Sequence, residues 1–282
     1  MSRLKAALDS ARRKREEGSR TSAAASDLGT ASSAALASPT GGDLLSMSRL
    51  PRIAANLEAL KVNRILTEDT HSPAVSAYRM LRTRLMQKMR SQNWRILGVS
   101  SLGPDEGKTF TSINLAITIA AEVGQEAVLV DLDLRRPSIH RYLGINPSQF
   151  TSSTQYFEGD VKDLGDLLIC PGIDRLGCLL SAESLDQPSD VLASARGKRL
   201  FEELRRRLSP ETVVFVDLPP LLAVDDALAV APMLDGLLLV VAEGHATRAE
   251  LSDARELLQE FNIIGTLLNK SIEKENRKSY YY

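Results

Sequence analysis

The chain has 282 residues, 43% of them hydrophobic, and a formal net charge of −1. That supports one α/β domain of ordinary size with added segments, and it excludes a general electrostatic pull toward nucleic acid or anionic membrane. No run approaches the roughly 20 apolar residues of a membrane span, and the two cysteines, Cys170 and Cys178, fit neither a zinc site nor a disulfide framework.

Residues 1–17 read as a basic amphipathic helix. Leu4, Leu8 and Ala11 fall near one face, and Arg12, Arg13, Lys14 and Arg15 make a charge run best read as a solvated face. The segment lacks the long apolar centre of a secretory signal. Residues 18–59 are expected to form a flexible linker, most clearly up to about Ser46, where Ser, Ala, Thr and Gly dominate. Such a composition buries too little apolar surface to offset the entropy of ordering it. A folded domain is expected over 60–269, with a tail over 270–282.

Within that domain, "SPAVSAYRMLRTRLMQKM" predicts a helix capped by Ser72 with Pro73 at its first position and Tyr78, Leu81, Leu85 and Met89 on one face. Apolar runs then alternate with helical patterns. Strands are predicted at "RILGVSS", "EAVLVDLDL", "DRLGCLLS", "TVVFVDLPP", "DGLLLVVAEG" and "IIGTLLN". Helices are predicted at "TFTSINLAITIAAEV", "SDVLASARGKRLFEELRRRL", "DDALAVAPML" and "RAELSDARELLQEF". This order implies a mostly parallel sheet covered by helices on both faces, with ligands at the carboxyl ends of its strands.

Three motifs fall at such ends. "LGPDEGKTF" departs from the usual phosphate-loop spacing, because Leu102 stands where the first glycine belongs and Gly103 comes one later. The physical parts survive. Gly107 lets backbone approach phosphate, Lys108 offers an ammonium, the Thr109 hydroxyl suits Mg²⁺, and the following helix presents its N–H groups. "VLVDLDLRR" ends a strand with Asp131, Asp133 and Arg135, and "VVFVDLPP" ends another with Asp217. One strand-end carboxylate is often a helix cap. Two such sites beside a Gly-Lys-Thr loop point to a metal and a polyphosphate, with a carboxylate left over to accept a proton.

Together these motifs resemble the Walker A, A′ and B motifs of bacterial tyrosine autokinases (BY-kinases) of capsule and exopolysaccharide systems, the soluble type without a fused membrane part. The likeness runs from about Ser72 to Tyr282. It implies a P-loop NTPase fold and an ATP- and Mg²⁺-dependent protein-tyrosine kinase. Nucleotide would bind through Gly103, Asp105, Glu106, Gly107, Lys108, Thr109, Phe110, Arg135 and Asn269, the last near the adenine. Thr109, Asp131 and Asp217 would organise the metal, and Lys108, Asp131, Asp133 and Asp217 would carry catalysis. The run Tyr280, Tyr281 and Tyr282 would be the autophosphorylation site. Each phosphotyrosine would add about −1.5 to −2 charge beside the basic Arg277 and Lys278. Arg79 and Arg82 would belong to an oligomerisation motif of a homo-oligomer. Expected partners are a membrane polysaccharide copolymerase or export protein as activator and a tyrosine phosphatase. Nucleic acid is not expected, and the location would be cytoplasmic, membrane-associated through a partner.

This sequence departs from the family in three places. Asp105 replaces a glycine, Ser76 replaces the glutamate of the Glu-x-x-Arg-x-x-Arg motif, and "SQFTSSTQYFEGD" lacks the usual Gly-Leu. The Lys108 charge is expected to matter only with polyphosphate present. Two other readings stand beside the kinase. One is a partitioning or division-site ATPase, which would need a lysine where Gly103 stands. The other is a nucleotide-gated adaptor without turnover.

Overall fold

A computed structural model of the protein describes residues 44–66 and 72–271. The basic helix expected over 1–17, the linker up to 43 and the tyrosine run lie outside them.

The chain alternates strand and helix as its apolar pattern predicts. Helix α1 is Leu57–Val62, α2 is Pro73–Gln92 and α3 is Lys108–Ala120. Then come α4 (Ile139–Leu143), α5 (Ser153–Glu158), α6 (Pro188–Ala193), α7 (Ala195–Arg207), α8 (Asp226–Val230) and α9 (Arg248–Leu258). The strands are β1 (Ile96–Ser101), β2 (Ala127–Asp131), β3 (Leu168–Ile169), β4 (Leu176–Leu179), β5 (Val213–Asp217), β6 (Gly236–Ala242) and β7 (Ile263–Asn269). They form one sheet in the order β3-β4-β2-β5-β1-β6-β7. Every pairing is parallel except β3 with β4.

The central strands are buried on both faces, which is why they read as continuous apolar runs. Successive residues still divide between the faces. Val128 and Val130 join a core with Leu200, Phe201 and Leu204 of α7. Ala127 and Leu129 join an opposite core with Leu85 and Met89 of α2 and Ile113 of α3. Each fully buried Leu, Ile or Phe contributes about 1.5–3 kcal/mol. Helix α2 begins as its sequence says, with the Ser72 hydroxyl accepting from the Ala74 N–H at 3.3 Å and proline in the first turn.

One expectation is corrected. Residues 44–59, expected from composition to end the flexible linker, are folded onto the sheet. Met47 and Leu50 are buried in the core. The Ile53 N–H donates to the Cys170 carbonyl at 2.9 Å, and the Cys170 N–H donates to that of Pro51 at 2.8 Å. Asn56 then caps α1 by accepting from the Glu58 and Ala59 N–H groups at 2.9 and 3.1 Å. This strap runs on to Leu66, whose N–H donates to the Asn114 side chain of α3 at 2.7 Å.

The topology fixes the site. β1 lies between β5 and β6, and Asp131 of β2 sits level with Asp217 of β5. The loop after β1 and both strand-end carboxylates therefore meet at one edge of the sheet.

Candidate active site

β1 delivers the chain into the loop that opens α3. Gly107 stands at the helix entry with φ 93°, a conformation that glycine adopts without strain, and a Cβ there would collide with the Asn269 amide. Asp105 is also left-handed, with φ 59°. Aspartate tolerates that region better than most residues, which accounts physically for an aspartate at a position where glycine is usual. Its carbonyl accepts from the Lys270 ammonium at 2.5 Å.

Two residues expected to touch nucleotide also brace the loop. Glu106 is 3% exposed. Its carboxylate accepts from the Gly103 N–H at 2.7 Å and from the Ala242 N–H of β6 at 3.2 Å. The Asn269 amide donates to the Glu106 carbonyl at 2.8 Å, so it ties the end of β7 to the loop. Phe110 packs edge-on against Tyr78 of α2, with ring centroids 6.2 Å apart.

Below the loop lies the charged cluster. The Lys108 ammonium is 2.7 Å from Asp133 and 3.8 Å from Asp217. Burial works against its charge, but Asp217 and Asp133 outweigh burial, and the lysine is held charged above its ordinary range. The Thr109 hydroxyl donates to Asp217 at 2.6 Å, and the Ser112 hydroxyl donates to its other oxygen at 3.0 Å. Burial still pushes the Asp217 carboxyl up. Asp131 accepts from the Ser138 and Ile139 N–H groups, both at 3.1 Å, at the start of α4. Burial, reinforced by neighbouring Asp217, pushes Asp131 up to about 8. The other Asp131 oxygen, Oδ1, is buried without a hydrogen-bond partner.

That orphan oxygen is a position that a bound cation would complete. A buried carboxylate oxygen without a donor is costly unless something positive completes it. Asp131, Asp217 and the Thr109 hydroxyl are hard oxygen donors of the kind that Mg²⁺ takes. Among the described residues, no three His, Cys, Asp or Glu groups could hold a metal by themselves.

Arg135 makes a two-pronged pair with buried Asp226, at 2.8 and 2.9 Å. It fastens the loop after β2 to α8 and lines the cleft from that position. The two arginines expected at a subunit interface differ. Arg79 is exposed on α2. Arg82 is occupied within the chain, donating to the Thr118 carbonyl at 3.1 Å and pairing with Glu122 at 3.2 Å.

The cleft above the cluster encloses about 660 Å³ and is walled by Pro104, Asp105, Lys108, Thr109 and Asp133 on the loop side. This volume suits a nucleotide-sized ligand. Among the lining residues that sequence reading did not assign to the site are Asn63 from the strap, and Arg136, Arg141 and Tyr142 from the segment after β2. The arginine pair behind Asp133 was the available signal for Arg136.

No protein-family model matches the chain. Over 180 residues it is 30% identical to the tyrosine-protein kinase CpsD of Streptococcus pneumoniae serotype 4, covering 62% of this chain and 76% of that one. Over 219 residues it is 31% identical to the tyrosine-protein kinase Etk of Escherichia coli K12, covering 77% of this chain but only 29% of Etk. The solved kinase domain of Escherichia coli Etk superimposes with a TM-score of 0.66 at 29% identity, covering 82% of this chain and 92% of that domain. On that identity and coverage, together with its parallel sheet, the chain belongs to the bacterial tyrosine-protein kinases and carries their P-loop kinase domain.

Proposed function

We propose that the protein transfers the γ-phosphoryl group of ATP to tyrosine hydroxyls, with its own Tyr280, Tyr281 and Tyr282 as acceptors. The observation that carries this reading is the convergence of Lys108, Thr109, Asp131, Asp133 and Asp217 at the carboxyl ends of β1, β2 and β5. Mg²⁺ bound there would neutralise charge on the phosphates. The chain's own groups do the rest. The loop N–H groups and Lys108 hold the phosphates. The acceptor oxygen attacks the γ-phosphorus, the bond from that phosphorus to the bridging oxygen breaks, and ADP departs.

Lys108 has a second part. Without nucleotide it is paired with Asp133 at 2.7 Å. Arriving phosphates compete for the same ammonium. As Lys108 turns toward them, Asp133 is freed to accept the phenolic proton. In this way the proton acceptor becomes available only when the phosphoryl donor is in place.

Resemblance to the family extends the proposal to exopolysaccharide or capsule polymerisation and export, with a membrane copolymerase as activator, a phosphatase as antagonist and a homo-oligomer as the working unit. Among the described residues no helix is long and apolar enough to cross a membrane. The ATPase reading loses support because Gly103 supplies no second lysine and its N–H is held by Glu106. Incubation with Mg-ATP, followed by phosphotyrosine detection, tests the proposal. Phosphate on tyrosine supports transfer, whereas phosphate released with an unmodified chain supports hydrolysis.

A further inference from the structure

Arg136 and Arg141 share one corner of the cleft and have no carboxylate partner. The Arg136 N–H donates to the Asp133 carbonyl at 3.0 Å and to its Oδ1 at 3.2 Å, so Arg136 sits one tight turn beyond the carboxylate that holds Lys108. Its guanidinium is exposed and makes no hydrogen bond or ion pair among the described residues. Arg141 is exposed as well, and its guanidinium donates only to the Pro137 carbonyl, at 2.8 Å. Pro137 is the residue next to Arg136, so both cations serve the same short segment. Between them and the strap stands Tyr142, a half-buried aromatic wall whose carbonyl accepts from the Asn63 amide at 3.1 Å.

Three other arginines near strand ends and helix ends have anionic partners. Arg135 is taken by Asp226, Arg205 by Asp235 and Arg207 by Asp163. Two exposed guanidiniums lining one cleft repel each other, a cost that a doubly charged ligand would offset. The loop from Gly103 to Thr109 already supplies donors for nucleotide phosphates. Arg136 and Arg141 line the same cleft from the segment that follows Asp133.

We infer that Arg136 and Arg141 form a subsite for the aryl phosphate of phosphotyrosine on the acceptor segment, next to the tyrosine being modified. This rests on the tyrosine-kinase reading above. The acceptor run has three successive tyrosines. After one transfer, the next hydroxyl therefore has a phosphorylated neighbour one or two residues away, roughly 3–7 Å along an extended chain. A guanidinium fork binds such a dianion through charge-assisted hydrogen bonds, and Tyr142 offers a face for an incoming ring. The first phosphate thus helps seat the second tyrosine.

The test is binding, with the full chain carrying Tyr280, Tyr281 and Tyr282 all changed to Phe so that its own run does not compete. The probes are synthetic peptides of residues 271–282, unmodified or phosphorylated at Tyr281, read by fluorescence anisotropy without ATP. The phosphopeptide should bind about ten-fold more tightly, a factor that one charge-assisted hydrogen bond can supply. Arg136→Gln with Arg141→Gln should abolish that preference, and Arg136→Gln alone, at a side chain without partners, should reduce it in a protein that still folds. Equal affinity for the two peptides would overturn the inference. So would a preference that survives the double change, or an equal loss of ATP affinity, which would assign both arginines to the nucleotide. A separate Mg-ATP incubation of the unaltered chain keeps the two readings apart, because absence of tyrosine phosphate there overturns the kinase proposal and leaves the binding result standing.

Discussion

Individual residues of the site carry opposed duties, and their substitutions separate them. Lys108 was expected to be idle without polyphosphate, but it already balances Asp133 and Asp217. Lys108→Met should therefore abolish transfer and also weaken the nucleotide-free fold by about 2–3 kcal/mol, the scale of a hydrogen bond to a charged group. Thermal melting with and without Mg-ATP reads both effects, and unchanged stability would mean that the pair contributes nothing net. Glu106→Ala tests the brace. It leaves the Gly103 and Ala242 N–H groups without their acceptor, so stability should fall by about 1–3 kcal/mol, with ATP binding weakened in proportion. Unaltered nucleotide affinity would show that the loop holds its shape without that carboxylate. Asp105→Gly should act in the opposite direction. It removes a negative charge beside the phosphates and relieves the left-handed backbone at φ 59°, so ATP should bind more tightly in a titration at fixed Mg²⁺. Weaker binding would make Asp105 a contributor through metal-bound water.

Among the elements, the strap is the one that sequence reading missed. Gly144 shows how closely it packs. The residue has φ 63°, and a Cβ would come within 2.6 Å of the Asn56 and Ala59 side chains. Gly144→Ala should strain the backbone and lift α1, raising protease sensitivity around residues 44–62 and lowering stability by about 1–2 kcal/mol. An unchanged cleavage pattern would mean that the strap docks independently of that contact. The central strands were legible because burial on both faces makes them continuous apolar runs between turn signals. Helix α2 was legible from its cap and its 3.6-residue period. The strap offers no period, only isolated apolar anchors such as Met47 and Leu50, and these bind because a core already exists to receive them. The short β3 was missed for a similar reason, since two residues carry no pattern. At the site, residue types predicted which side chains would gather at the carboxyl ends of β1, β2 and β5. They did not show that Glu106 and Asn269 would turn inward as braces, because that depends on which donors β6 and the loop leave unpaired.

At the scale of the whole molecule, the proposed donor site is one end of the sheet and the proposed acceptors follow β7. From Asn269 to Tyr282 an extended chain reaches roughly 40 Å at about 3.3 Å per residue, so reach alone permits transfer within or between chains. We predict transfer between chains, because a neighbour can present the segment extended while its own chain must fold it back. Mixing a Lys108→Met chain that keeps its tyrosines with an active chain carrying Phe at Tyr280, Tyr281 and Tyr282 decides this. Label on the Lys108→Met chain supports transfer between chains, and its absence in a folded protein means transfer within one. The occupied Arg82 makes a neighbour's contact with that arginine depend on breaking its ties to Thr118 and Glu122. The central claim is more direct, namely that this cleft moves phosphate from ATP to the tyrosine run. Mass spectrometry of the intact and fragmented chain after incubation with Mg-ATP tests it in one measurement. The account predicts phosphate on Tyr280, Tyr281 or Tyr282 in the unaltered protein and none after Asp217→Asn. ATP consumed with those tyrosines unmodified, or modification persisting in a folded Asp217→Asn protein, would contradict it.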